Sequence, residues 1–270
     1  MTDSADQVTV LLARDIVRAT RDRGLRVFAM TSPMSIVAGL VAQRIGAPRL
    51  ALAGGFGRLD VAPRPSATLG EFALGMGHSP RSMSAETFMA LARGRVGVVV
   101  TPAQIDARAA LNLSGIGGVP ERPTVALPGS RGLPDNNHSS STVWYFAPEL
   151  STRRLVSKVD FVSGAAPAAG IRRLLFSPTA TLEFDAAGGW RIVGLTKGMS
   201  VDDVRGAVGF EVAAEEPATH VPPTEVERAA LGEADPHGLR RLDFGSMPGD
   251  VLGDVLAHEA RELAERVPSS

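Results

Sequence analysis

Between Leu25 and Ala53 the chain reads strand, short loop, helix, strand, and no other feature limits its possible folds as much. Leu25–Met30 reads as a strand and Thr31-Ser32-Pro33-Met34 as a loop. Ser35–Ile45 places Ile36, Val37, Leu40, Val41 and Ile45 on one helical face, Gly46 and Pro48 stop it, and Arg49–Ala53 is a second strand. Two strands joined by a crossover helix must pair in parallel with a right-handed connection. The pattern recurs: residues 84–93 have a helical period with Ser84 as candidate N-cap, and Val96–Val100 follows. An unbroken apolar run of that length suits a strand buried on both faces of a parallel sheet. A helix over residues 7–23, with Val8, Leu12, Ile16 and Ala19 inward, precedes the first strand and stops at Gly24.

Beyond residue 141 the rhythm changes. After the short strand Thr124–Ala126 that precedes it, Thr142–Phe146, Leu155–Val162, Arg173–Phe176, Thr179–Phe184 and Arg191–Thr196 read as strands in quick succession. Val201–Val208 and Thr224–Leu231 read as short helices, residues 211–223 as a proline- and acid-rich linker arm, and residues 250–267 as a final helix with Val251, Val255 and Leu256 inward. The predicted class is α/β: an open, mostly parallel sheet with helices on both faces and a more antiparallel C-terminal half.

At 270 residues the chain suits one α/β domain with an appendage, and 44% apolar residues can supply its core. A net charge of −1 with no basic run argues against nucleic acid or a membrane surface as partner. Cysteine is absent, which excludes disulfides and thiolate metal sites. The acidic N-terminal stretch lacks the basic and apolar regions of a signal peptide, and no apolar run has transmembrane length, so a cytoplasmic location is expected.

Three stretches carry candidate chemistry. "ALAGGFGRLD" puts Gly54, Gly55 and Gly57 just after a strand, yet no helical period follows, so it is not a dinucleotide fingerprint. It is a glycine turn at the carboxyl edge of a parallel sheet, where such folds bind ligands. Gln104 and Asp106 follow the Val96–Val100 strand at the same edge, and either contact ligand or brace turns. "LPGSRGLPDNNHSSS", residues 127–141, could be a surface turn, a phosphate cradle or an oxyanion loop. Gly129 and Gly132 permit backbone N–H groups to converge on an anion, but no Gly-Lys-Ser/Thr follows to make a phosphate loop. His138 could donate or accept a proton there, although a lone loop histidine is more often a surface group. His78, His138, His220, His237 and His258 show no metal-ligand spacing, so no metal is expected. Ser139–Ser141 lack a nucleophile elbow.

Taken in order, these stretches resemble the β subunit of family I CoA-transferases, over roughly residues 5–240. "ARGRVGVVVTPAQIDARAALNLSGIG" is similar to a strand followed by A-Q-V/I-D and G-N-L/V/I-N-S/T. "LPGSRGLPD" is similar to P-G-S-G-G-x-x-D, and "RRLVSKVDFVSG" to R-R-F-V-E-K-V-D. "TATLEFDAAGGWRIVGLTKGMSVDDVRGAVGFEV" is similar to the family's closing stretch. The resemblance implies the CoA-transferase (NagB-like) fold over 1–240, with 241–270 as a C-terminal helical extension. It implies acyl-CoA as substrate, no permanently bound cofactor, and an α subunit of similar fold in a heterodimer or heterotetramer. It further implies that Gly54, Gly55, Gly57, Gln104, Asp106, Asn112, Asp135, Asn136 and His138 line the acyl-CoA site, with Gly129, Ser130, Arg131 and Gly132 as the supporting loop.

The departures narrow the reading. Transferring members carry a nucleophilic glutamate in E-S/N-G after the second strand, where this chain has Ala53-Gly54-Gly55-Phe56-Gly57. Asp60 lies too far downstream to replace it, so the glutamate is expected on the partner. Ala110-Leu111-Asn112 lacks the family's glycine before the asparagine. Gly129-Ser130-Arg131-Gly132 is more similar to the G-x-R-G-S/P loop of the branch that opens steroid rings by hydrolysing a C–C bond in a cyclic ketoacyl-CoA, and Ser32–Met34 matches that branch's S-P-M. CoA transfer, C–C hydrolysis and a non-catalytic subunit all remain open at this level.

Overall fold

The computed structural model describes residues 3–29, 32–53, 58–59, 81–82, 89–130, 132–166, 170–185 and 187–266. The chain forms two compact units: Met1–Asp22, Arg26–Thr87 and Pro223–Ser270 make one, Arg23–Leu25 and Phe88–Pro222 the other.

The first unit opens with α1 (Ser4–Asp22), whose Ala5, Val8, Leu12, Ile16 and Ala19 are buried at helical spacing. Then come β1 (Val27–Ala29), α2 (Pro33–Ile45) and β2 (Ala51–Ala53). The two strands pair in parallel, Val27 opposite Ala51 and Ala29 opposite Ala53, so the βαβ unit is the one the sequence predicts. Ser32 caps α2 in a reciprocal capping box with Ser35, and Pro33 needs no N–H partner in the first turn. Gly39 sits mid-helix because a Cβ there would lie 2.9 Å from Leu52 and 3.0 Å from Phe28, so only glycine lets α2 settle on the strands. A two-residue antiparallel ribbon, β3 (Arg58–Leu59) and β4 (Arg81–Ser82), also belongs to this unit.

The second unit begins its sheet with β5 (Val96–Val100), buried along its whole length. β6 (Gln104–Asp106) and β7 (Leu111–Asn112) form a small hairpin, and β8 (Gly115–Val119) and β9 (Arg122–Ala126) a second one. After α3 (Leu133–Ser139), β10 (Thr142–Phe146) returns to the sheet. β11 (Leu155–Val156) joins β6 in parallel, and β12 (Arg172–Phe176), β13 (Ala180–Asp185) and β14 (Gly189–Leu195) continue the sheet, with α4 (Val201–Gly206) and β15 (Ala213–Thr219) last. The strand order in this unit is β15-β14-β13-β12-β10-β5. β10 pairs in parallel with β5 and β12, β13 is antiparallel to both neighbours, and β15 is parallel to β14. Within this sheet most pairings are parallel and the antiparallel ones fall in the C-terminal half, as expected. Gly97 is needed in β5 because a Cβ there would come within 2.5 Å of the buried Trp144 ring.

Three sequence expectations fail for local reasons. The linker arm 211–223 instead holds β15, an edge strand on β14. Pro217 is accommodated where the register slips between Ala214 and Ala218, and Glu216 takes φ 44 there. Of the predicted strand Leu155–Val162 only Leu155–Val156 is extended in a ladder, since Val159 N–H turns to the Asp106 carboxylate and Asp160 N–H to the Gln104 side chain. Leu256 is 39% exposed, because it is turned about 100° around the helix from the buried Val255.

The segment after Pro223 returns to the first unit as α5 (Glu225–Ala234), a 3₁₀ turn (Leu239–Phe244) and α6 (Gly249–Arg266), so residues 241–270 continue the unit that holds α1 and α2. Thr224 and Glu227 form a capping box on α5. Glu227 also takes both arms of the Arg14 guanidinium at 2.7 Å each, tying α5 to α1. Arg240 is held by Asp235 and Asp6 in the same way. Among the described residues no helix is long and apolar enough to cross a membrane.

Candidate active-site loop

The loop singled out by its composition is suspended from the β6–β7 hairpin. Leu127 N–H donates to Ser114 O at 3.0 Å and Gly129 N–H to Leu113 O at 2.9 Å. Leu113 directly follows β7, which pairs with β6 four residues beyond Val100. The start of the loop therefore lies on the carboxyl side of β5, where parallel sheets present ligand loops. Gly129 has φ 95, a left-handed conformation that favours glycine, and among the described residues nothing lies within 4 Å of where a Cβ would sit. Ser130 is half-buried, Gly132 is exposed and begins α3, and Asn136 N–H returns to Gly132 O at 3.0 Å. His138 is exposed.

The hairpin that carries the loop is braced by the polar residues the sequence marked beside it. Asn112 donates to Gln104 Oε1 at 2.7 Å and to Gly115 O at 2.6 Å, and its Oδ1 accepts the N–H groups of Ser114 and Gly115. Gln104 also joins Asp160, whose carboxylate accepts Gly117 N–H at 2.9 Å. Asp106 Oδ1 accepts Arg108 N–H at 2.9 Å and Ala110 N–H at 3.0 Å, and its Oδ2 accepts Val159 N–H at 3.4 Å. All three side chains are buried, Gln104 and Asp106 at 5% exposure and Asn112 at 0%. Of the two roles open to Gln104 and Asp106 from sequence, the bracing one is what this geometry displays. The contacts implied for these two and for Asn112 with acyl-CoA are not needed to account for them.

Gly129, Ser130 and Gly132 thus lie in the loop and Asn136 and His138 in α3 directly after it, while Gln104, Asp106 and Asn112 hold the hairpin that carries the loop. Gly54, Gly55, Gly57, Arg131 and the side chain of Asp135 lie outside the described residues. Ser32–Met34, which carried the S-P-M likeness, caps α2, with Met34 N–H on the Asp243 carboxylate at 2.7 Å. Burial pushes that carboxyl above its ordinary range, against the pull of the bonds from Met34 and Ser32.

Sequence reasoning missed the group at the far end of α3. Asn137 is fully buried. Its side chain donates to Ala165 O at 2.5 Å and accepts the Tyr145 hydroxyl at 2.7 Å, while its carbonyl accepts a hydrogen bond from Arg173. Burial pushes the Tyr145 phenol well up, so it stays a neutral donor. The available signal was chemical: Tyr145 is the only tyrosine, and Arg173 is a charge inside an apolar strand.

No sequence-family model matches the chain, and neither does any curated protein sequence. Solved structures do. Glutaconate coenzyme A-transferase from Acidaminococcus fermentans superposes with a TM-score of 0.71 at 17% identity, over 86% of this chain and 94% of that one. IpdAB of Rhodococcus jostii RHA1 gives 0.72 at 22%, over 90% and 98%. The chain has the family I CoA-transferase-like fold, over nearly the full length of one such subunit. Among particular enzymes, it is similar to the decarboxylase AibA/AibB at 25% identity and a TM-score of 0.79, over 90% of this chain and 99% of that one, and to a variant of the same enzyme at 26%.

Proposed function

We propose that this chain is the β-type subunit of a heteromeric enzyme acting on an acyl-CoA thioester, with the catalytic carboxylate supplied by an α subunit of similar fold. The observation that carries this reading is the Gly129–Gly132 loop, tethered on the carboxyl side of β5 with Gly129 in a left-handed conformation and no described atom against it. Acyl-CoA reactions develop negative charge on the thioester oxygen, and backbone N–H groups held in place are the usual means of stabilising it. Arg131, inside that loop, would hold a carboxylate or a CoA phosphate. A heteromer is supported by the two-component neighbours AibA/AibB and IpdAB.

Ala53-Gly54-Gly55-Phe56-Gly57 offers no nucleophile, so transfer through a glutamyl thioester would need one from the partner. A second reading is favoured by that same stretch and by the likeness to a decarboxylase: cleavage of a C–C bond in the acyl group without an acceptor acid. In decarboxylation the bonding pair moves toward the thioester carbonyl, CO₂ leaves, and the enolate takes a proton on carbon. In hydrolysis water adds its hydroxyl to the ring ketone carbon, the C–C bonding pair moves toward the thioester carbonyl, and water's proton ends on the resulting enolate carbon. Both reactions need oxyanion stabilisation and neither needs a carboxylate from this chain.

The test is co-purification with a candidate α subunit, then turnover of acetyl-CoA, glutaconyl-CoA and a cyclic 3-oxoacyl-CoA with and without acetate. CO₂ or a ring-opened thioester formed without acetate identifies C–C cleavage, and acetyl-CoA formed from glutaconyl-CoA or the cyclic thioester only when acetate is present identifies transfer. No turnover, together with no thermal shift of the complex by any of the three thioesters, would leave only a non-catalytic subunit.

A further inference from the structure

Arg173 is fully buried on β12, and among the described residues no carboxylate ion-pairs with it. Among the described residues its Nε has no hydrogen-bond partner. Its terminal nitrogens reach the backbone carbonyls of Arg172, at 3.3 Å, and Asn137, and its side chain also meets the Tyr145 hydroxyl. Burial lowers its proton affinity, with Tyr145 a partial compensation. Such a group is a poor source of stability, since apolar residues of similar volume commonly do as well or better in its place.

What Arg173 does reach is the end of α3. Asn137 O lies in the last turn of a seven-residue helix, among the carbonyls that lack an intrahelical partner. A helix that short does not hold itself together, and its first residue has no side-chain cap at Gly132. Its anchors are at the other end. Val143 stands opposite Arg173 in the β10–β12 ladder, and Tyr145, two residues on, points to the same face of the sheet. From that face Arg173 grips the backbone of Asn137 and Tyr145 its side chain. The opposite end of α3 runs directly into Gly129–Gly132.

We propose that Arg173 is a positioning residue for the Gly129–Gly132 loop, acting through Asn137 and the short helix between them. The link to turnover rests on the acyl-CoA reading; the link to loop order does not. The loop is tethered at its start by Leu113 and Ser114 and at its far end by this clamp, so loosening the clamp frees one end only.

The experiment uses Arg173→Met, Arg173→Lys and Tyr145→Phe in the assembled complex, with melting, amide hydrogen exchange and steady-state kinetics measured together. Arg173→Met should keep the melting temperature within a few degrees, or raise it, while exchange across residues 127–140 speeds up about tenfold. kcat should fall by about 10²-fold with KM changed far less, as for a misplaced loop. Arg173→Lys, which can still donate to Asn137 O, should recover part of both effects, and Tyr145→Phe should give a smaller version of them. Unchanged exchange over 127–140 in Arg173→Met would overturn the proposal. So would a fall in melting temperature with faster exchange throughout the unit, which marks a merely structural role. A loosened loop with unchanged kcat in an active complex would overturn the link to turnover while leaving the acyl-CoA reading intact. A parent complex inactive on every thioester would sink that reading alone, because the exchange experiment would still test the clamp.

Discussion

Replacing Asp106 by alanine separates a turn brace from a ligand group. The carboxylate is 5% exposed and takes two backbone N–H groups at 2.9 and 3.0 Å and a third at 3.4 Å. Those bonds close a turn in which Ala109 is forced to φ 58, and the Asp106 backbone carbonyl supports Trp190 Nε1 at 3.0 Å. Hydrogen bonds to a charged group contribute about 1.5–3 kcal/mol each, and the longest one contributes little. Asp106→Ala should therefore cost about 3 kcal/mol, which for a chain of this size lowers Tm by on the order of 6–10 °C. Asp106→Asn, which keeps one oxygen for the two short bonds, should cost about 1 kcal/mol. Urea and thermal unfolding of the two variants measure this directly. If Asp106→Ala unfolds within about 0.5 kcal/mol of the parent but loses its response to acyl-CoA, the carboxylate faces ligand and the bracing argument is wrong.

Two further outcomes follow from the packing. The Arg14 guanidinium, with the Thr224 backbone and hydroxyl, holds the Glu227 carboxyl down to about 2, below the unfolded value near 4.3, so folding favours the ionised form. Its contribution, discounted for partial solvent access to roughly 1–2 kcal/mol, is present above about pH 5 and lost as pH falls through 4 toward 2. Glu227→Gln should remove that amount at neutral pH and flatten the stability profile below pH 5, and an unaltered acid limb would contradict it. Gly97→Ala would drive a Cβ to 2.5 Å from the Trp144 ring and 3.0 Å from Leu25, costing about 1–3 kcal/mol in urea unfolding. A neutral result would mean that β5 and Trp144 can separate more easily than their packing indicates.

How much was legible in sequence depends on the range of the forces involved. The Val96–Val100 and Thr142–Phe146 strands, and the helices expected over 7–23, 35–45 and 250–267, follow from nearest-neighbour chemistry and came out with correct or nearly correct bounds, while the start of the helix expected at Ser84 lies outside the described residues. Residues 211–223 read as a linker because proline and acids disfavour burial, yet an edge strand needs only one paired side and can absorb Pro217 in a bulge. Gln104, Asp106 and Asn112 were visible as polar residues at a sheet edge, but their roles depend in part on partners 8 to 56 residues away: Gln104 on Asn112 and Asp160, and Asp106 on Val159. Sequence spacing cannot express those meetings.

By itself the sequence determined the α/β class, the βαβ unit at Leu25–Ala53, the lack of a carboxylate between Ala53 and Gly57, and the glycine loop at residues 127–132. These are matters of composition and short-range periodicity. Only the tertiary structure decided what holds that loop: Leu113 and Ser114 at one end, and Tyr145 and Arg173, through Asn137, at the other. The reason is physical. A buried polar group must find its partner wherever the packed chain places one, and packing is settled by the whole sheet rather than by neighbours in sequence.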